Sequence, residues 1–126
     1  MTLLPQSRRR AERGQATVEL ALAMPLLCLL LLGVVQIAVV VRDQLVAIEA
    51  ARVGARAASV SADPAGAAEG AVRRAVSSPV RVSTATQDGY VTVSVTIENP
   101  TDVPLIGVLM PSVEVRASAT MQLEPP

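Results

Sequence analysis

The side chains that perform most enzyme chemistry are scarce in this chain. It has no histidine and one cysteine, Cys28, in 126 residues. An intrachain disulfide, a zinc cluster and a Ser-His-Asp triad are all out of reach of that inventory. Asp88-Gly89 could open a calcium loop, but no second carboxylate lies nearby in sequence to complete an oxygen set. The sequence therefore predicts no catalytic, cofactor-binding or metal-binding residues, and no enzyme, for want of a nucleophile with its base. The residues that stand out are a basic cluster, Arg8, Arg9, Arg10 and Arg13, then Gly14 and Glu19, all just ahead of a long apolar run.

That run must set where these residues sit. Residues 20–41 read LALAMPLLCLLLLGVVQIAVVV and carry no charge. A helix of that length rises about 33 Å, enough for a hydrocarbon core of roughly 30 Å. A chain this small could hardly bury such a helix within itself. Hydrophobic residues make up 51% of the chain and aromatics only 1%, so the apolar content is Ala, Val and Leu, much of it in this block. Pro25 falls near one end of the span, where membrane helices tolerate it. Gly33 and Gln36 offer a weak packing face. Net charge is zero, but the segment before residue 20 is net positive and the remainder net negative. The positive-inside rule then keeps the N-terminus in the cytoplasm and sends the C-terminus across. Val39-Val40-Val41 makes a poor signal-peptidase site, and the leucines before Cys28 argue against lipidation. Cys28 reads as a small apolar residue facing lipid or another helix.

The most informative stretch is Arg13-Gly14-Gln15-Ala16-Thr17-Val18-Glu19, running straight into the apolar block. It resembles the cleavage site of type IV pilin-like precursors. The resemblance implies that a prepilin-type membrane peptidase cuts between Gly14 and Gln15 on the cytoplasmic side, leaving Glu19 as the fifth residue of the mature chain. A peptidase wants an extended, accessible bond, and Gly14 has no side chain in the way. Glu19 is costly beside the membrane; the first helical turn would favour it, and a neighbouring subunit's free amine could pair with it. Beyond the membrane, Ala50-Ala51-Arg52-Val53-Gly54-Ala55-Arg56 is similar to the AAR-x-GAR stretch of the TadE-like family, minor pilins or pseudopilins of the tight-adherence (Flp-type) pilus. Residues 117–121, Ala-Ser-Ala-Thr-Met, match that family's extended C-termini loosely. Gln15 departs from ordinary type IV pilins, which carry an aromatic at that place.

The outer part reads as helix, then helix, then strands. Residues 44–60 contain good helix formers and no proline. Leu45, Ile48, Ala51, Ala55 and Ala58 form a mostly small apolar stripe, expected to pack on the protein's own sheet, with a docking face for another pilus component as the alternative. Glu49, Arg52 and Arg56 allow a surface charge ladder. Asp63-Pro64 stops that helix and starts another over 65–77, with Asp63 as N-cap, Pro64 at the first position, and Arg73 and Arg74 near the end. The period then becomes two: Val80, Val82 and Thr84; a tight hairpin at Asp88-Gly89; Val91, Val93, Val95 and Ile97; then Val113, Val115, Ala117, Ala119 and Met121. Between them, 101–111 is a loop whose apolar residues should cover a sheet edge or meet a partner.

The fold class expected is α+β: a long N-terminal helix, membrane-spanning and continuing outside, followed by a short helix and a small three-stranded antiparallel sheet. The segments are a basic cytoplasmic leader (1–14), the transmembrane helix (15–41), its extension (42–61), a short helix (62–78) and the sheet region (79–126). The resemblance implies a bacterial, non-catalytic, single-pass protein of the inner membrane. Its partners would be the lipid bilayer, a prepilin-type peptidase, other pilus or pseudopilus subunits and assembly-platform proteins, with no nucleic acid and no cofactor. Two alternatives are a secretion-system pseudopilin and an uncleaved signal-anchor protein with a small binding or regulatory domain outside.

Overall fold

The computed structural model describes residues 7–98 and 114–125, with side chains from residue 14 onward. Its elements are α1 (Ser7–Ser59), α2 (Pro64–Ala75), β1 (Val80–Gln87), β2 (Tyr90–Glu98) and β3 (Glu114–Gln122). The architecture is α+β, as the change of hydrophobic period requires. The apolar loop at 101–111 and Val113 lie outside the described residues.

Contacts divide the chain into two units, Met1–Ala38 and Val39–Pro126. In the first, α1 exposes large apolar side chains on every side, including Leu22, Leu26, Leu30 and Ile37. Such a helix is stable only where its surroundings are apolar. From Gly14 on, α1 is long and apolar enough to cross a membrane. Pro25 lies inside it, so the carbonyl of Ala21 lacks its usual donor. The helix passes 14–15 and 41–42 without a break, so secondary structure marks neither expected boundary.

The second unit is built on a sheet of order β1-β2-β3, antiparallel throughout. The hairpin turn places Asp88 at φ 52° and Gly89 at φ 78°, the left-handed pair that a two-residue type I′ turn demands. Val91, Val93, Val95 and Ile97 of β2 are buried, with Val115 and Ala117 of β3 beside them. Thr96 is also buried, although it faces the polar side. It stands in register between Arg81 and Arg116, whose long stems can flank its small side chain.

The helix stripe departs from the sequence expectation at Leu45. The buried residues of α1 are Ala47, Ala50, Ala51, Gly54, Ala55, Ala58 and Ser59; Leu45 is 63% exposed, and Ile48 is partly covered and packed against the core. At 100° per residue, Leu45 lies roughly 150° round the helix from the centre of that stripe. The sheet face is lined by valines, and the helix meets it through its smallest residues, which permits close approach. Ala51, Ala55 and Ala58 of the expected stripe are buried and Ile48 packs against the core, so only Leu45 falls off the contact face.

Helix α2 starts as its sequence dictates. The Asp63 carboxylate accepts a hydrogen bond from the Gly66 amide at 3.2 Å, and Pro64 occupies the first turn. A Cβ at Gly66 would fall on that carboxylate, so the glycine makes room for the cap. Arg73 and Arg74 lie in the last turn, and Arg73 pairs with Glu69 at 2.7 Å. Asp63→Ala should cost about 0.5–2 kcal/mol, read as faster amide exchange in α2 with β2 protection less affected.

The chain end closes the unit. The amide of Leu123 donates to the carbonyl of Gly89 at 2.8 Å, and that of Glu124 to the carbonyl of Ser59 at 3.0 Å. The second bond satisfies a carbonyl in the last turn of α1, which has no partner within the helix.

Candidate functional site

Two stretches carry the functional reading, and the structure treats them differently. Residues from Gly14 to Glu19 are exposed and helical. This departs from the extended scissile bond that a peptidase wants: Gly14 and Gln15 lie inside α1, which begins at Ser7. Residues 14–41 include many good helix formers, and a helix in an apolar run propagates toward its start one bond at a time. A Cβ placed on Gly14 would meet nothing within 4 Å. The fold has no steric use for this glycine, yet glycine in a helix costs about 1 kcal/mol against alanine. Its effect here is to make the 14–15 bond cheap to unwind.

Glu19 also sits differently from expectation. The first turn of α1 holds no acidic residue, so the uncut chain gives Glu19 no stabilisation from the helix N-terminus. Only a helix beginning at Gln15 would bring it close to the free amides. Cys28 is free and exposed.

The second stretch divides by side-chain size. Ala50, Ala51, Gly54 and Ala55 are buried, and Arg52 and Arg56 are exposed. Gly54 is the tightest point. A Cβ there would lie 2.8 Å from Val72 Cγ2 of α2 and 3.1 Å from Val93 Cγ1 of β2, with the Ala68 carbonyl oxygen at 3.6 Å. Three elements meet on this one residue. The arginines face away, and Arg52 approaches Glu49 at 4.0 Å in a solvent-exposed pair, so the charge ladder contributes little. The carbonyl of Arg56 accepts a hydrogen bond from the Ser59 hydroxyl at 3.0 Å.

Among the described residues no group of His, Cys, Asp and Glu could hold a metal ion. An open groove of about 380 Å³ lies between α2 and β1, lined by Glu69, Arg73, Pro79, Val80, Arg81, Val82 and Glu98. Its charges are paired, Glu69 with Arg73 and Glu98 with Arg81. No nucleophile with an adjacent base faces into it.

A family model described as TadE-like protein matches residues 14–56. Over that stretch the chain is TadE-like. The match opens at Gly14 and closes at Arg56, so it contains both stretches and the apolar span between them. No curated protein and no solved structure matches the chain. The matched segment includes the part of α1 that is long and apolar enough to cross a membrane.

Sequence reasoning found the TadE-like motif but not the reason for its glycine. The signal was present: Gly54 lies four residues from Ala50 and four from Ala58, on the face where every residue is small. The C-terminal tie to Ser59 is a backbone contact and left no signal in residue types.

Proposed function

We propose that the protein is a non-catalytic minor pilin or pseudopilin subunit of a tight-adherence pilus, cleaved between Gly14 and Gln15 by a prepilin-type peptidase. One observation carries this reading: the TadE-like match begins at Gly14 and takes in Glu19, the apolar span and the AAR-x-GAR motif. In this reading the leader holds the N-terminus in the cytoplasm of an inner-membrane precursor. Cleavage removes it, and the helix stays as the anchor. The residues Ala50, Ala51, Gly54 and Ala55 fix the outer domain to that anchor, while Arg52 and Arg56 stay available to other pilus subunits or assembly-platform proteins.

A second reading is favoured by the unbroken helix through Gly14 and Gln15. In an uncleaved signal-anchor protein that bond never needs to open. The two readings share a topology. A reporter fused after Glu124 should be active outside the cytoplasm and silent within it. Cytoplasmic activity would contradict both, since each relies on the arginines before residue 14 to set orientation.

A further inference from the structure

We propose that the free edge of β1 takes up an extended, uncharged polypeptide segment of a partner protein as a fourth, antiparallel strand. The bond from the Glu98 amide to the Pro79 carbonyl marks these two residues as a hydrogen-bonded pair. Such pairs alternate along an antiparallel ladder. Arg81, Ser83, Ala85 and Gln87 therefore bond to β2, and the amides and carbonyls of Val80, Val82, Thr84 and Thr86 point away from it. Among the described residues none of those outward groups has a hydrogen-bond partner.

The two edges of the sheet differ. On β3 the outward carbonyl of Arg116 accepts from the Gln44 side chain at 3.3 Å, and the Glu124 amide donates to the carbonyl of Ser59. Helix α1 thus ties that edge near both ends. Edges are normally blunted by proline, bulges or charges along them, and β1 has none of these guards. Residues 80–87 contain no proline, and their pairing with β2 runs without a bulge. Their one charge, Arg81, pairs with Glu98 of β2, so it leans across the sheet and not over the open edge.

The groove between α2 and β1 runs beside the first half of this edge and selects the occupant. A row of amides and carbonyls at strand spacing is matched by another main chain in extended form. The groove has apolar lining from Pro79, Val80 and Val82, and the two valines are only partly buried. Its charges are already paired, Glu69 with Arg73 and Arg81 with Glu98, so a charged segment would find no counter-ion. A second copy could offer only its own β1, since its β3 edge is tied. It would bring another Arg81 to a groove with no free carboxylate. Residues directly opposite one another share a face, so every second side chain of the incoming strand lies beside Val80 and Val82. Valine or isoleucine suits those positions, and serine or threonine suits the alternate ones, which face solvent. The proposal depends neither on cleavage of the leader nor on a pilus.

The test uses the whole chain in detergent micelles and a fluorescein-labelled peptide copying residues 91–97, Val-Thr-Val-Ser-Val-Thr-Ile, which has the required alternation. Two N-methylated forms of equal composition are compared. The first is methylated at its two threonines and its serine, whose amides point away from β1 in the bound strand. The second is methylated at its third, fifth and seventh residues, whose amides would face β1. The first form should bind saturably by fluorescence anisotropy and slow exchange of the Val82, Thr84 and Thr86 amides. The second should bind roughly tenfold more weakly or worse. Thr84→Pro removes an outward donor and leaves the ladder to β2 intact, as an edge strand allows. It should raise the midpoint of the first form roughly tenfold with unchanged amide protection in β2; if it fails to fold, Thr86→Pro is read in its place. No saturable binding of the first form would overturn the proposal. So would equal or tighter binding of the second form, or an unmoved midpoint in the proline variant. Slow exchange of the three outward amides in the free protein would also overturn it. The edge would then be covered already, by a second copy if the protection rises with protein concentration and by the chain itself if it does not.

Discussion

Replacing Gly54 by alanine should destabilise the outer domain, although the same change elsewhere in a helix stabilises. Glycine to alanine in a helix interior gains about 1 kcal/mol. At Gly54 the new Cβ would lie 2.8 Å from a methyl of Val72 and 3.1 Å from one of Val93. Valine has no flexible end to swing aside, because both methyls sit on a stiff χ1. Overpacking of this kind costs about 1–3 kcal/mol, which offsets the helix gain and reverses its sign. Gly54→Leu should do more and separate α1 from α2 and β2. Gly70→Ala is the internal control. It lies within α2, where a Cβ would meet only the Arg74 guanidinium at an ordinary 3.5 Å, so it should gain about 0.5–1 kcal/mol. Amide exchange of β2 in the full chain reads both. Gly54→Ala should exchange faster and Gly70→Ala slower. Equal acceleration by both would show that Gly54 is no packing constraint.

The legible parts of this fold are those set by local chemistry. Asp63-Pro64 specifies a helix start through a capping carboxylate and a fixed φ, and the structure has both. Asp88-Gly89 specifies a two-residue turn because both positions need positive φ. The alternation from Val91 to Ile97 specifies a face. The face of α1 on the sheet was legible through Ala51, Ala55 and Ala58, which are buried, with Ile48 packed against the core. Leu45 looks like a core residue but is exposed, and close helix–sheet contact adds Ala47, Ala50 and Gly54. In the candidate site, residue types and order were readable, and the TadE-like match covers them. The helical state of Gly14 was not, because glycine there signals an open bond only if its neighbours do not carry the helix through it. Thr96 is buried on the otherwise polar face, where register sets it between Arg81 and Arg116.

Gly14→Leu should abolish processing. Leucine restores the helix propensity that glycine gives up, so the bond becomes harder to unwind, and its side chain obstructs the peptidase at the same position. Steric conflict inside the chain contributes nothing, since a Cβ at Gly14 meets no atom within 4 Å. The effect is therefore on cleavage and not on folding, and the uncut variant should keep the β2 protection of the parent. Glu19→Ala should act at a later step. It leaves the scissile bond alone, so cleavage proceeds. The mature helix then lacks the carboxylate that would sit in its first turns and pair with a neighbouring subunit's terminal amine, and assembly into a filament falls.

Cleavage is the step on which the proposed function depends. The leader carries Arg8, Arg9, Arg10 and Arg13 against Glu12, a net charge of +3. In the proposed reading, its loss would remove the basic anchor from the cytoplasmic face and ease withdrawal of the apolar helix from the bilayer. The decisive measurement is the mass of the N-terminal peptide of the membrane-bound protein, taken from cells with an active prepilin peptidase. The account predicts a chain that begins Gln15-Ala16-Thr17-Val18-Glu19, and an uncut N-terminus in the Gly14→Leu variant. A wild-type chain that still begins at or near Met1 in those cells would contradict it, and would leave the uncleaved signal-anchor reading in its place.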